Sequence, residues 1–465
     1  MARKVLGEAV FKQGLNYLVH DPEKNLVQLA KWGARIARAE QHKRTAEKLA
    51  EILGDEDNNW RRLVLNQLRQ VSPRVRERLV LNFFVNAALI GIPYSQELEK
   101  KLGVHIPWAM LIDPTGRCNL RCKGCWAAEY DRSKDMDLET LDRIITEAEN
   151  LGIHFIVVSG GEPTIRMNDL ITLAGKHEES AFHVFTNGTL LDKNAARTFA
   201  ELGNVTFAIS LEGFEETTDR RRGPGVYARI MRAMDNLREA GVLFGFSATY
   251  TRENANEIGS EPFINLMVEK GCAYGWLFTY VPVGGAGADL EYMATPEQRA
   301  TMYRTVRRWR QEKPIFVADF WNDGPAVGGC IAGGRSYFHI NAMGDVEPCA
   351  FVHFANVNIK NTTLLEALSC PLFRTFQANQ PFNHNLLRPC PIIDNPQMLE
   401  KIVAESGAYS TEAGRVSAGQ LCRPLYGYAT AWGEIADRLW AAQEQTVPSK
   451  DKGMRRDRKW PAFGE

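Results

Sequence analysis

Along the first hundred residues, apolar positions recur at helical intervals. Leu26, Leu29, Trp32, Gly33 and Ile36 share one face of a 3.6-residue period. They follow Asp21-Pro22, an N-cap with proline at the first helical position. Ser72-Pro73 repeats that start signal, Val75, Leu79, Phe83 and Ala87 recur four apart, and Gly91 is the expected stop. The polar run 55–59 reads as a connecting loop. From about 105 to 313 the pattern changes. Short apolar runs at 108–112, 155–158, 183–185, 205–209, 243–250 and 275–280 alternate with amphipathic stretches at 138–150, 169–177, 194–202, 226–240, 261–270 and 296–310. Six βα units in series predict a parallel sheet with right-handed crossovers. Chemistry then belongs at the C-terminal ends of the strands, whether the sheet is open or closed. After 314 the alternation stops. Runs 337–341 and 346–349 flank 342–345 as a hairpin around a glycine-containing turn. The expected organisation is a helical segment over 1–104, an α/β segment over 105–313, a small α+β segment over 314–448 and a basic tail over 449–465.

Composition narrows the class. The chain has 465 residues, 45% hydrophobic and 24% charged, ordinary for a globular protein of about three domains. Its 56 basic and 56 acidic residues cancel, so no nucleic-acid partner is expected. The tail carries six basic and two acidic residues over 450–459 and reads as a solvated extension. The first residues lack the apolar run of a signal peptide. Nine cysteines then read as metal ligands in a reducing cytoplasm rather than as disulfides. The longest apolar stretch, 79–92, is interrupted by Asn82 and Asn86 and falls short of the ~20 residues of a spanning helix. A buried helix is favoured over a monotopic membrane contact.

The most specific chemistry lies just after the first strand. Cys118, Cys122 and Cys125 follow one another as C-x3-C-x2-C. Three thiolates on one tight loop can hold three irons of a cubane and leave the fourth without a protein ligand. A structural zinc normally takes four protein ligands, and an electron-transfer cluster four cysteines. After the second strand comes Ser159-Gly160-Gly161-Glu162-Pro163, after the third Thr186-Asn187-Gly188, and at the end of the fourth Ser210-Leu211-Glu212. Glycines allow close backbone approach, a carboxylate can accept from an ammonium, and residues two apart on a strand share a face.

Together these motifs resemble the radical SAM superfamily. The resemblance implies a partial (β/α)6 barrel. It implies a [4Fe-4S] cluster on Cys118, Cys122 and Cys125 that binds S-adenosylmethionine (SAM) at its open iron. Gly160, Gly161, Glu162 and Pro163 would hold the SAM amino group, Asn187 would lie near SAM, and Ser210 and Glu212 would contact its ribose and methionine parts. Reductive cleavage would yield a 5′-deoxyadenosyl radical that abstracts hydrogen from a substrate C–H, with a flavodoxin- or ferredoxin-like electron donor. One departure stands out: the family usually places an aromatic residue before the third cysteine, where this chain has Gly124, and Trp126 is a candidate to supply the ring.

The C-terminal cysteines resemble a SPASM/Twitch extension, with Cys330 leading and Cys349 in a G-x4-C hairpin, but five cysteines support one auxiliary [4Fe-4S] cluster, not two. The expected ligands are Cys330, Cys349, Cys390 and Cys422, with Cys370 as the spare and electron transfer as the role. Such relatives mostly modify peptides or proteins, which makes that the leading substrate class. A lipid or small molecule is the alternative, and a non-catalytic iron–sulfur carrier, which would need no SAM contacts, is the other. Tyr280, Asp319 and Asp323 are the candidates for acid–base work at the barrel mouth, although exposed loop acids are the commoner reason for such residues.

Overall fold

The computed structural model describes residues 13–446 apart from 15–16, 19, 37–39, 129–130, 132 and 285–287. The basic tail expected over 449–465 and the first twelve residues lie outside them.

The core is one sheet. Strands β1 (Ala109–Ile112), β2 (Phe155–Val158), β3 (Ala181–Thr186), β4 (Val205–Ser210), β5 (Phe244–Tyr250), β6 (Tyr274–Thr279) and β7 (Phe316–Asp319) run parallel in chain order. On the other side of β1, β8 (Tyr337–Ile340) pairs in parallel, Ala109 opposite Tyr337, and β9 (Val346–Glu347) turns back antiparallel. The fold is therefore the expected mixed α/β partial barrel, extended by two further parallel strands. The expected break at 313 falls between the helix Pro296–Glu312 and β7, which continues the sheet. Four residues without alternation did not announce β7. The hairpin 337–349 forms as expected, but its pairing with β1 spans over two hundred residues and leaves no local trace.

Alternation along the strands sorts side chains between two layers. Phe155 and Val157 point into the barrel, whereas Ile156 and Val158 pack outward. Helices Leu138–Asn150, Val226–Ala240 and Glu261–Lys270 cover the outside.

Residues 73–102 run as one long helix across the N-terminal ends of the strands, with a π-helical middle, Val80–Gly91. Gly91 is not the expected stop. A Cβ there would come within 2.3 Å of the Gly152 carbonyl oxygen, so the glycine serves a close crossing, and the helix ends at Gly103, φ 66°. Asn82 donates to the carbonyls of Glu178 and Ser180, and Asn86 to that of Glu179. By length and composition this helix could cross a membrane, but 44% of its apolar window is buried against the barrel. Phe84 and Leu89 remain exposed. The last helix, Tyr426–Thr446, packs on Pro296–Glu312, where buried Arg299 pairs with Asp394 at 2.5 Å and lies over Trp432.

Candidate functional site

The cysteine loop leaves β1 and is stitched to the turn after β2. Gly161 N–H donates to the Thr115 carbonyl (2.9 Å) and Glu162 N–H to that of Arg117 (2.7 Å). A Cβ on Gly161 would lie 2.1 Å from the Arg117 oxygen, and Gly160 has φ 113°. The glycine pair thus lets the turn meet the cysteine loop. Cys118, Cys122 and Cys125 face the mouth of a cavity of about 290 Å³ inside the barrel. At Gly124, φ 65°, a Cβ would meet the Tyr280 ring at 2.7 Å, so the ring beside this position comes from the end of β6. Trp126 also lines the cavity, set edge-on to His339.

Glu162 is buried at the same mouth. Its Oε1 accepts from Thr164 N–H (3.0 Å), Thr164 Oγ1 (2.5 Å) and Thr186 Oγ1 (2.6 Å), its Oε2 from Asn187 N–H (2.7 Å). Burial nevertheless pushes its carboxyl up, so a cation brought to it would be held strongly. Asn187 lines the cavity, and its amide donates to Asn119 Oδ1. Pro163, buried, starts the 3-10 turn behind Glu162 and does not line the cavity. Ser210 faces the cavity.

Glu212 does not. It is wholly buried and pairs with Arg221 and Arg222, 2.5 Å each. The two expected neighbours therefore act differently, because the chain turns away after β4 and the helix Glu215–Arg222 folds back over it. Both guanidiniums line the cavity, and that of Arg222 approaches Cys122 Sγ at 4.0 Å. Burial opposes their charge, but Glu212 outweighs it and raises both. The helix is polar on every side, so no apolar period pointed to it; Glu at its start, three Arg at its end and Gly223 were the available signals.

The proposed acid–base residues divide. Tyr280 lines the cavity, and its hydroxyl accepts from Asp289 N–H. Asp319 and Asp323 do not reach the mouth, contrary to expectation. Asp319, at the end of β7, faces outward: Tyr250 OH and Asn322 donate to it, and burial together with Asp323 pushes its carboxyl up to about 7. Asp323 receives two bonds from Arg310, at 2.8 and 2.5 Å, and one from Asp319 N–H. Both acids fasten β7 to its surroundings.

Beneath the mouth the cavity is aromatic and aliphatic: Leu111, Phe155, Phe185, Trp276, Phe278 and Phe320 form much of its wall. His183, in the same wall, is driven down to about 3 by burial and stands neutral. Next to the loop, buried His339 sits between Asp113 (2.8 Å) and Glu347 (2.7 Å). Burial lowers its basicity, yet the two carboxylates prevail and hold the imidazolium to about 10. This charge, on β8, was missed because its partners are far apart in sequence.

A second set of cysteines forms against the cavity wall. Cys330, Cys349 and Cys390 surround Tyr337, whose hydroxyl lies 3.0 Å from Cys349 Sγ and whose phenol is raised by burial and by those three thiols. Tyr337, Ile331, Ala350 and Phe351 also line the cavity. Burial raises the Cys330 thiol to about 12. Cys422 is not brought to this set: it is fully buried at the end of the helix Ala418–Cys422, with Glu400 as its charged neighbour, and packs as a small hydrophobe. Cys370 caps the helix Pro371–Ala378 elsewhere. Among the described residues, no three His, Cys, Asp or Glu side chains close on a single metal ion.

Comparison with known proteins agrees with this geometry. Residues 112–259 match the Radical SAM superfamily. The Fe-coproporphyrin III synthase of Methanosarcina barkeri is 31% identical over 224 residues, covering 45% of this chain and 55% of that protein. Mycofactocin maturase MftC of Mycolicibacterium smegmatis is 28% identical over 54% of this chain and 66% of its own. The AdoMet-dependent heme synthase of Nitratidesulfovibrio vulgaris is 26% identical over 58% and 80%. The chain thus spans between about half and two thirds of the first two of these. In fold it is similar to Streptococcus suis SuiB bound to the precursor peptide SuiA: TM-score 0.55, 18% identity, 70% of this chain and 79% of that one.

Proposed function

We propose that this chain, whose residues 112–259 match the Radical SAM superfamily, is a radical SAM enzyme that binds a [4Fe-4S] cluster on Cys118, Cys122 and Cys125, cleaves SAM reductively and abstracts hydrogen from a substrate C–H in the barrel. One observation carries this reading: the three thiols, Glu162, Asn187, Ser210, Arg221 and Arg222 line the mouth of a single apolar cavity. The cluster and SAM, once bound, supply one-electron cleavage of the sulfonium and a radical that attacks unactivated C–H bonds.

The chain's own residues do the rest. Glu162, fixed by four donors, is preorganised to receive the SAM ammonium. Arg221 and Arg222 offset the negative charge of the thiolates. The aromatic wall excludes water and other quenchers from the radical. Tyr280 packs against Gly124 and holds the loop's shape.

Cys330, Cys349 and Cys390 are the proposed ligands of an auxiliary cluster beside Tyr337, close enough to the cavity wall to exchange electrons with a substrate radical. The first electron comes from a flavodoxin- or ferredoxin-like donor. For substrate, the maturase relatives and SuiB with its precursor peptide support peptide modification. The cavity supports a second reading, a hydrocarbon-rich molecule, because each buried peptide unit needs partners for its N–H and C=O and the deep wall is almost wholly apolar.

Anaerobic reconstitution with iron and sulfide, then reduction and SAM, should give 5′-deoxyadenosine that disappears in Cys118/Cys122/Cys125→Ala. A full iron complement without SAM cleavage, even with cell extract added as a source of substrate, would point instead to an electron carrier.

A further inference from the structure

The antiparallel register of β8 and β9 sets His339 opposite Glu347 and Ile340 opposite Val346. Continued two residues outward, it sets Tyr337 opposite Cys349, at the spacing where cross-strand side chains meet. The Tyr337 hydroxyl accordingly donates to Cys349 Sγ at 3.0 Å. A phenol has one proton to give and keeps it at neutral pH. The ring lies in the cavity wall, edge-on to Phe320 at 6.3 Å. One side chain therefore touches both the cavity and a thiol of the auxiliary set.

The surroundings of these thiols suit anionic sulfur. The Ile392 N–H donates to Cys390 Sγ at 3.4 Å, and the N–H groups of Ala332 and Phe351 face the sulfurs of Cys330 and Cys349. Each of these donors lies two residues beyond its cysteine, as the Leu120 N–H does for Cys118 (3.4 Å). Side chains add to them: Gln380 at Cys330, Trp321 at Cys390 and Tyr337 at Cys349. Of these three side chains, Tyr337 is the one that lines the cavity. Hydrogen bonds to cluster sulfurs offset the extra negative charge of the reduced state.

We propose that the Tyr337 hydroxyl, donating to Cys349 from the cavity wall, raises the reduction potential of an auxiliary cluster held by Cys330, Cys349 and Cys390. A higher potential favours that cluster as an electron acceptor. Tyr337 acts here through Cys349, as a positioning residue, and takes no part in bond making. This assignment rests on the auxiliary cluster proposed above.

The test uses the full chain with Cys118/Cys122/Cys125→Ala, reconstituted with iron and sulfide so that only the auxiliary cluster is present, with and without Tyr337→Phe. Potentiometric titration followed by EPR of the reduced cluster gives the midpoint potential. Tyr337→Phe keeps the ring and removes the hydroxyl. It should retain about four irons per chain and lower the reduced-to-oxidised ratio at a fixed potential about tenfold, which is 59 mV for one electron. Pulsed EPR after exchange into D2O should show one exchangeable deuteron fewer beside the cluster. Phe320→Leu, which loosens the packing on the same ring and leaves the hydroxyl, should keep the midpoint unchanged. An unchanged midpoint in Tyr337→Phe with four irons retained would overturn the assignment. An equal shift in Phe320→Leu would do the same, because the effect would then be one of packing. Loss of iron in Tyr337→Phe would also overturn it, since the hydroxyl would then be a ligand or a structural support. A parent variant that holds no iron removes the auxiliary cluster, and this assignment with it, whereas four irons with an unchanged midpoint remove the assignment alone.

Discussion

Gly124 has φ 65°, and a Cβ there would press on the Tyr280 ring at 2.7 Å. Gly124→Ala should therefore destabilise the protein by about 1–3 kcal/mol and lower its iron content, read by anaerobic urea unfolding and iron assay. Tyr280→Ala in the Gly124→Ala background should recover part of the iron. Asp319 offers a second check at this scale. Its carboxyl titrates near 7 when folded against 3.8 ordinarily, so between those values the folded state holds more protons than the unfolded one. Its contribution is most favourable below pH 4, declines as pH rises to about 7, and is then a constant penalty. Unfolding free energy measured from pH 4 to 8 should fall less steeply in Asp319→Asn than in the wild type. Equal slopes would mean that the acid titrates normally.

At the scale of elements, the helix Glu215–Arg222 governs the charge at the cavity mouth. Glu212→Gln would leave two adjacent buried guanidiniums without their carboxylate, a loss of about 3–5 kcal/mol. Arg222→Met, which keeps the bulk, should instead leave stability nearly intact and cut SAM cleavage at least tenfold; a stable variant with normal cleavage would remove Arg222 from the site. This helix also marks the limit of what periodicity reveals. The strands 155–158 and 205–209 and the helices 138–150 and 226–240 were legible because each shows a clean apolar run or stripe. A helix that buries charges rather than methyl groups shows neither. The π-helical segment Val80–Gly91 hid likewise, since its glycine looked like an end and is a crossing point.

Across the whole molecule, the cysteine loop, the Gly-Gly-Glu turn and Asn187 were legible because each is a short contiguous motif following a strand. The pairing of β8 with β1, the Asp113–His339–Glu347 chain and the gathering of Cys330, Cys349 and Cys390 were not, because they join segments far apart in sequence and leave no local pattern. The cysteine pattern gave no reason to separate Cys422, which packs as a hydrophobe, from the three that surround Tyr337. Iron analysis should respect that division. Cys330/Cys349/Cys390→Ala should lose about four irons per chain, whereas Cys422→Ala should lose none and cost only packing.

The reading as a whole stands on radical SAM chemistry at the barrel mouth. The most direct measurement is anaerobic quantification of 5′-deoxyadenosine from reduced, reconstituted protein, alone and with cell extract, in the wild type and in Cys118/Cys122/Cys125→Ala. The account predicts product in the wild type, none in the variant, and retention by the variant of the iron held at Cys330, Cys349 and Cys390. Equal product from both proteins, or none from the wild type under any of these conditions, would contradict it.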